Sequence, residues 1–415
     1  MRALIAMALA LGLLVGLLRF KVKIGRSMII SAIALAFFLG VTPAAMREQL
    51  IREWHEKPLT ETTCYMFVMI TALVVLVNVI SSALKETGVT DRLVPAIQGL
   101  VASRRVALSL IPLLMGLLPS PGGIMLSAPM VRDLGDKVGV ERSRLAAINF
   151  YFRHQWEPVW PLFPAIPMIQ GYLGVSARSI VMYNGVIVLA GLAGGIIFLL
   201  IKGIPPRKAE HKPDKALFHH NVRDFLHAFW PIALAAVLYA VFNVPPGAGI
   251  FIAIIAFLLL HKVPLYRWPA IFKTGKEMDL TLLILGALFF KVILEAGNAV
   301  PEVVDVFNRY HVPPNVVIFA MPFMVSSLTG ITSATVAITF PLLLPLIGTG
   351  ADAKMPLEVL AISGLVCGLS LTPVHMCLAL SAGYFETTFT KIVTRLILPI
   401  LFVAAAGILM VIFSV

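Results

Sequence analysis

The sequence has few charged residues and few cysteines. Charged side chains occupy 13% of the 415 positions, whereas hydrophobic ones occupy 59%, which lies outside the usual range for soluble globular domains. The natural solvent of such a chain is lipid. The composition therefore predicts an all-α polytopic membrane protein.

The three cysteines and the missing motifs exclude several kinds of site. Cys64, Cys367 and Cys377 lie far apart in apolar runs, without the paired spacing of zinc or redox sites. No HExxH or GxSxG motif occurs, and the glycine-rich segment 120–123 lacks the lysine of a phosphate loop. We therefore predict that the protein is not an enzyme and has no cofactor and no resident metal.

The net charge of +12 does not indicate nucleic acid as a partner. The basic residues form short clusters between apolar runs, without a basic face interleaved with aromatic residues. The first apolar run, 3–18, precedes its basic cluster and lacks a cleavage motif, so we interpret it as a retained span. Ten runs have the length expected of spanning helices, namely 3–18, 27–43, 61–83, 145–172, 179–201, 226–243, 247–262, 279–295, 357–384 and 390–414.

Two further apolar stretches, 106–131 and 314–345, each have a break at mid-length. Each half of the first stretch reaches only about 20 Å, because a helix rises 1.5 Å per residue and the hydrocarbon core is about 30 Å thick. We therefore predict that both stretches are re-entrant hairpins.

The loop charges orient these segments in the cytoplasmic membrane. With ten spans, two hairpins and both termini outside, the cytoplasmic loops contain 24 of the 33 Lys and Arg residues, as the positive-inside rule requires. The most basic of these loops is the linker 202–225. If the first hairpin were a full span, this linker would lie outside.

The two halves of the chain resemble each other. Pro112 and Pro129 in the first hairpin correspond to Pro322 and Pro341 in the second, at nearly constant offset. The units 1–201 and 226–415 each contain five spans and one hairpin, so the second unit is inverted in the membrane. This pattern is typical of secondary transporters, in which broken helices form the substrate and ion sites.

The tips of the two hairpins are candidate binding segments. In the first, proline ends one helix and glycine permits a tight turn, so the N-terminus of the next helix provides a seat for an anion. In the second, hydroxyl oxygens suit a substrate hydroxyl or a sodium ion, the sodium ligands being Ser327, Thr329 and Thr332. The alternative for both tips is small-residue helix packing. The tip candidates are Ser120, Pro121, Gly122 and Gly123 in the first hairpin and Ser326, Ser327, Thr329, Gly330 and Thr332 in the second.

The interrupted span 145–172 carries the most concentrated charge. A charged side chain at mid-bilayer costs about 2.5 to 3.5 kcal/mol on insertion scales, so such a cluster is expected to be paired and functional. Asn149 and Arg153 are candidates for substrate binding, Glu157 for proton coupling, and His154 for tuning Glu157. Arg153 and Glu157 share a helix face if the helix continues to Pro158, and a purely structural ion pair is the alternative.

The interrupted span 357–384 is the counterpart of this segment in the second unit. It offers Thr372 for substrate binding and His375 for coupling, although a lone histidine is more often a structural residue. Lys291 and Glu295 are four residues apart near a span end, and we predict a structural ion pair there.

The segment Leu118-Pro119-Ser120-Pro121-Gly122-Gly123-Ile124-Met125-Leu126-Ser127, together with Phe152-Arg153-His154-Gln155-Trp156-Glu157-Pro158, resembles the integral-membrane family called domain of unknown function 401. That family is similar to the ion transporter superfamily of gluconate permeases, dicarboxylate and citrate carriers, and sodium/proton antiporters. The resemblance implies a homodimer whose transport domain moves like an elevator within a scaffold. Dicarboxylate symporters of the superfamily carry Ser-Asn-Thr at both tips, and the asparagines are absent here.

The favoured hypothesis is a secondary transporter that moves a small organic anion, a carboxylate, by symport with protons or sodium. A cation/proton antiporter with Glu157 as its ion ligand is the alternative within transport. A passive channel is a further alternative.

Overall fold

The computed structural model describes residues 2–89, 103–117, 124–137, 139–204, 215–276, 278–299, 301–302, 305 and 309–414. All regular secondary structure in these residues is helical, as the composition predicts. The helices of the first unit are α1 (Arg2–Arg19), α2 (Ile24–Leu39), α3 (Pro43–Glu56), α4 (Thr63–Glu86), α5 (Arg104–Gly116), α6 (Ile124–Asp136), α7 (Arg142–Arg153), α8 (Ala165–Leu173) and α9 (Ala177–Gly195), which ends in a π-helical turn, Ile196–Ile201.

The helices of the second unit begin at Lys215, within the basic linker 202–225. They are α10 (Lys215–Ala240), α11 (Pro246–Leu260), α12 (Trp268–Lys273), α13 (Met278–Ala296), α14 (Pro314–Thr329), α15 (Thr332–Ile347), α16 (Met355–Ser370), α17 (Met376–Tyr384) and α18 (Phe389–Ile412).

Several helices of the structure could span a membrane, although their number is lower than the sequence pattern suggests. Among the described residues, four helices (α1, α4, α9 with its π-helical turn, and α18) are long and apolar enough to cross a bilayer, or up to six if two sharply bent pairs each count as one span. One bent pair is α2 and α3, whose axes differ by 103°. Helices α11 and α16 have 15 and 16 residues. A 16-residue helix reaches only about 24 Å, which is less than the thickness of the hydrocarbon core. The count of ten spans stays a prediction.

The stretch 314–345 divides into two helices at Gly330. Only Gly330 and Ile331 separate α14 from α15, and the two helices pack against each other. In the first unit, α5 and α6 also pack against each other. Their connection, 118–123, lies outside the described residues.

Two further segments lose helical structure in mid-course. Helix α7 ends at Arg153, a 3₁₀ turn covers His154–Trp156, and α8 begins only at Ala165. Likewise, α16 ends at Ser370 and α17 begins at Met376. Prolines at 158 and 373 fall in these gaps and lack the backbone N–H that a continuing helix would require.

Packing between the units brings these breaks together. Helix α15 of the second unit packs on α8 of the first, and α17 packs on both α6 and α7. A continuous apolar core includes buried residues from both units, such as Phe150 and Phe340. A smaller core joins α4 and α5 to α10 and α11 around Phe257. The core thus holds the interrupted segments of both units in one region.

Candidate functional site

The end of α7 is fixed by contacts with the end of α5. Arg153 Nη1 donates a hydrogen bond to the carbonyl oxygen of Met115 at 2.7 Å, and Trp156 Nε1 donates to that of Leu113 at 2.8 Å. Gly116 permits this approach, because a Cβ atom there would lie 2.1 Å from the carbonyl oxygen of Arg153. These contacts hold the turn after α7 against α5.

Asn149 ties α7 to the second arm of the same hairpin. Its Oδ1 accepts a hydrogen bond from Ser127 Oγ at 2.6 Å, and its Nδ2 donates to the carbonyl oxygen of Ile124 at 3.3 Å. The Asn149 and Ser127 side chains are both buried. The structure therefore places Asn149 among hairpin contacts, and its predicted role in substrate binding stays a prediction.

The corresponding break in the second unit closes on the tip of hairpin α14–α15. Gly330 ends α14 with φ +66°, and a Cβ atom there would lie 2.8 Å from the backbone nitrogen of His375. Thr372 Oγ1 donates a hydrogen bond to the carbonyl oxygen of Ser327 at 2.5 Å. The interrupted segment between α16 and α17 therefore wraps closely around the tip.

The two breaks meet through the side chains of His154, Glu157 and His375, together with the hydroxyl of Thr332. Thr332, the first residue of α15, donates a hydrogen bond from its hydroxyl to Glu157 Oε2 at 2.7 Å. The Nε2 atoms of His154 and His375 lie 3.1 Å apart, and His154 Nε2 lies 3.9 Å from Glu157 Oε1. The structure thus brings together the three residues predicted to couple an ion, although they come from opposite halves of the sequence.

Two adjoining cavities open onto this cluster. The first has a volume of about 220 Å³ and the second about 380 Å³. Arg153 lines the first cavity, and Thr329, Gly330 and Thr332 line the second. The residues common to both walls are Glu157, Phe163, Pro164, Ser333, His375 and Cys377.

The other predicted tip residues make mainly local hydrogen bonds. The hydroxyls of Ser326 and Ser327 both donate to the carbonyl oxygen of Phe323, at 3.0 and 2.8 Å. Thr329 Oγ1 lies 3.3 Å from Thr335 Oγ1. The residues of the first tip, Ser120, Pro121, Gly122 and Gly123, lie outside the described residues.

The shared helix face of Arg153 and Glu157 does not form. It requires that α7 continue to Pro158, but α7 ends at Arg153. The hydrogen bonds of Arg153 and Trp156 to α5 favour the turn instead, and Pro158 lacks the N–H that would continue the helix. The turn brings His154 next to Glu157.

Two features near or behind the site are not predicted from the sequence. Cys377, for which the sequence predicts no role, lines both cavities, and its sulfur lies within 4.8 Å of ligand nitrogens of His154 and His375. Asn184 Nδ2 donates to Oε1 of the fully buried Glu358 at 3.0 Å. The signals in the sequence are weak, since His154 lies 223 residues from Cys377 and Asn184 lies 174 residues from Glu358.

A separate ionic cluster joins α3 to α13. The predicted pair of Lys291 and Glu295 is confirmed, with Nζ 3.4 Å from Oε1. The buried Lys291 also binds Glu53, and Lys57 lies 3.3 Å from Glu53 and 3.6 Å from Glu295. Two lysines alternate with two carboxylates, which is the arrangement expected of a structural network.

Comparison with known proteins agrees with the resemblance found in the two polar segments. No curated protein matches the sequence. Residues 9–414, nearly the whole chain, match the family described as “Protein of unknown function (DUF401)”. The protein therefore belongs to the DUF401 family.

Proposed function

We propose that the protein is a secondary active transporter that moves a small organic anion across the cytoplasmic membrane, coupled to protons or sodium. The observation that carries this proposal is the hydrogen bond between Glu157 and Thr332. It joins the interrupted segment of one predicted repeat to the hairpin of the other, at the wall of a cavity. A site of this kind can respond to a relative movement of the two repeats.

The groups that line the cavities favour a negatively charged substrate. Arg153 supplies a positive charge at the wall of the first cavity, and Thr332 and Ser333 supply hydroxyls at the start of α15. No side chain caps the N-terminus of this 16-residue helix. Its free N–H groups and positive dipole end favour an anion. These features support a carboxylate as the substrate class.

Coupling is assigned to Glu157. It is buried, lines both cavities and contacts both His154 and the hydroxyl of Thr332. A carboxyl group in this position can exchange a proton with the cavity, whereas the hydroxyls of Ser327, Thr329 and Thr332 are the alternative ligands for sodium. The elevator movement, the homodimer and the outward termini are part of the proposal and rest on the sequence pattern and the family resemblance.

The test is gradient-driven uptake into proteoliposomes from a panel of mono-, di- and tricarboxylates, with a proton or sodium gradient imposed separately. Thr332→Val removes the hydrogen bond to Glu157 at nearly constant volume, and the exposed Thr394→Val is the matched control. A hydrogen bond to a charged group contributes about 1.5 to 3 kcal/mol, so uptake by T332V should fall about tenfold or more. Absence of gradient-driven uptake by the wild type for every acid would refute the proposal.

A cation/proton antiporter is the second candidate, because Glu157 faces the cavity with the hydroxyls of Thr332 and Ser333 beside it. Adding sodium outside dye-loaded proteoliposomes separates the two functions. Proton movement without any organic anion favours the antiporter, and unitary currents in planar bilayers favour a passive channel.

A further inference from the structure

The two histidines at the site have the same tautomer. His154 Nδ1 lies 2.7 Å from the carbonyl oxygen of Phe150, and His375 Nδ1 lies 2.8 Å from that of Gly330. A carbonyl oxygen only accepts hydrogen bonds, so each Nδ1 carries the proton. In the neutral rings, each Nε2 therefore presents a lone pair.

These lone pairs face each other. The two Nε2 atoms are 3.1 Å apart, a separation at which two bare acceptors repel unless a cation lies between them. Two nitrogens bound at about 2.0 Å to a tetrahedral zinc ion are about 3.3 Å apart. The observed spacing fits a shared metal ion.

A third ligand completes a set that suits transition metals. Cys377 Sγ and one nitrogen of each histidine all lie within 4.8 Å of one another. Imidazole with thiolate selects zinc and related ions over magnesium or calcium, which prefer oxygen ligands. The backbone carbonyls bound to each Nδ1 provide the outer-shell contacts that usually orient metal-binding histidines.

We propose that His154, His375 and Cys377 bind a transition-metal ion of the zinc class. The ion links the turn after α7 in the first unit to the start of α17 in the second. The three ligands line the cavity whose wall includes Glu157 and Arg153, which leaves room for a fourth ligand, as in sites where three protein ligands leave one position open. The site forms independently of whether the protein transports an anion.

Cobalt is a suitable probe, because a thiolate bound to Co²⁺ gives a charge-transfer band in the near ultraviolet and tetrahedral Co²⁺ has intense visible bands. The full chain is purified in detergent, stripped with chelator and titrated with Co²⁺ alone, then with Zn²⁺ as competitor. We expect saturation at one Co²⁺ per chain, and Zn²⁺ should abolish the bands.

Variants assign the ligands. Cys377→Ser should lose the charge-transfer band and His375→Ala should weaken Co²⁺ binding at least tenfold, whereas Cys64→Ser, which removes an exposed thiol, should behave as wild type. Zn²⁺ should raise the thermal unfolding temperature of wild type and C64S, because an ion that binds the folded state stabilises it, and this increase should be absent in C377S.

Two results would overturn the proposal. One is a wild-type protein that gives no cobalt bands, which would leave a shared proton between the imidazoles. The other is a charge-transfer band that persists in C377S. A wild type that binds Co²⁺ but takes up no carboxylate would refute the proposed function and leave the metal site standing.

Discussion

At the scale of single residues, a substitution of Glu157 distinguishes a role in coupling from a structural role. Glu157→Gln retains an oxygen that can accept the hydrogen bond of Thr332 and removes the ionisable group. We expect the variant to fold and to exchange substrate across the membrane, because the packing is nearly unchanged. Uptake driven by a proton gradient should fall to the level of empty liposomes.

The measurement compares pH-driven uptake with substrate counterflow in the same proteoliposomes. Glu48→Gln on α3, whose side chain is 77% exposed, controls for the loss of a carboxylate. Equal losses of uptake and counterflow in E157Q would indicate a structural or substrate-binding role. Retained proton-driven uptake would remove Glu157 from coupling.

Glu358 and Asn184 form a buried pair whose contribution is to stability. Among the described residues, Asn184 Oδ1 and Glu358 Oε2 have no hydrogen-bond partner. Glu358→Gln keeps an oxygen for the Asn184 amide and adds a donor for Asn184 Oδ1, so it should change the free energy of unfolding by less than about 1 kcal/mol or increase it. Glu358→Ala leaves a cavity and an unsatisfied amide, so it should cost about 2 to 4 kcal/mol.

Thermal unfolding in detergent measures both Glu358 variants against wild type. A Gln variant as unstable as the Ala variant would contradict this account of the pair, since it would mean that the amide cannot replace the carboxyl group.

The residues of the site were predictable to different degrees. Arg153, His154 and Glu157 stand out as polar residues in an apolar run, so the sequence suffices to select them. The contact between His154 and His375 joins positions 221 apart in the chain, and packing of α17 on α7 brings Cys377, two residues after His375, close to His154 as well. Packing of this kind has no local signal, so the sequence does not reveal that Cys377 lies near His154.

At the scale of elements, the break at Gly330 is the most constrained turn in the described chain around the site. Gly330→Ala places a side chain at φ +66° and 2.8 Å from the backbone nitrogen of His375. The left-handed conformation alone costs about 1 to 2 kcal/mol, and the clash adds to it. The variant should unfold at a lower temperature and lose the hydrogen bond between the carbonyl oxygen of residue 330 and His375 Nδ1.

Gly383→Ala on α17 is the matched control, since a Cβ atom there meets nothing within 4 Å. Alanine is favoured over glycine within a helix by about 1 kcal/mol, so G383A should be as stable as wild type or more so. Comparison of the two unfolding temperatures tests the turn, and equal values would contradict the assigned conformation.

Helix ends were harder to predict than helix breaks. Prolines and glycines mark the neighbourhood of each interruption, as at Pro158 and Gly330. The residue at which α7 ends depends on side-chain hydrogen bonds from Arg153 and Trp156 to α5. Such tertiary contacts override local helix propensity, so the shared helix face expected for Arg153 and Glu157 does not form.

At the scale of the whole molecule, the two units are interlocked rather than side by side. Helices α15 and α17 of the second unit pack on α8 and α7 of the first, and both units line the cavities. This arrangement is compatible with an inverted repeat, which stays a prediction. The loop charges give that prediction a consequence that can be measured, because an inverted repeat fixes the side of the membrane on which each loop lies.

The turns at the two ends of α11 provide the sharpest test of orientation. Asn243 precedes α11 and Lys262 follows it, and both are exposed. If the basic linker 202–225 is cytoplasmic, Asn243 lies outside and Lys262 inside.

In a background with Cys64, Cys367 and Cys377 replaced by serine, N243C should react with a membrane-impermeant maleimide in intact cells, and K262C should react only after permeabilisation. Because the two positions flank a single 15-residue helix, reversed labelling would invert the entire topology. Labelling of both positions in intact cells would instead show that α11 does not cross the membrane.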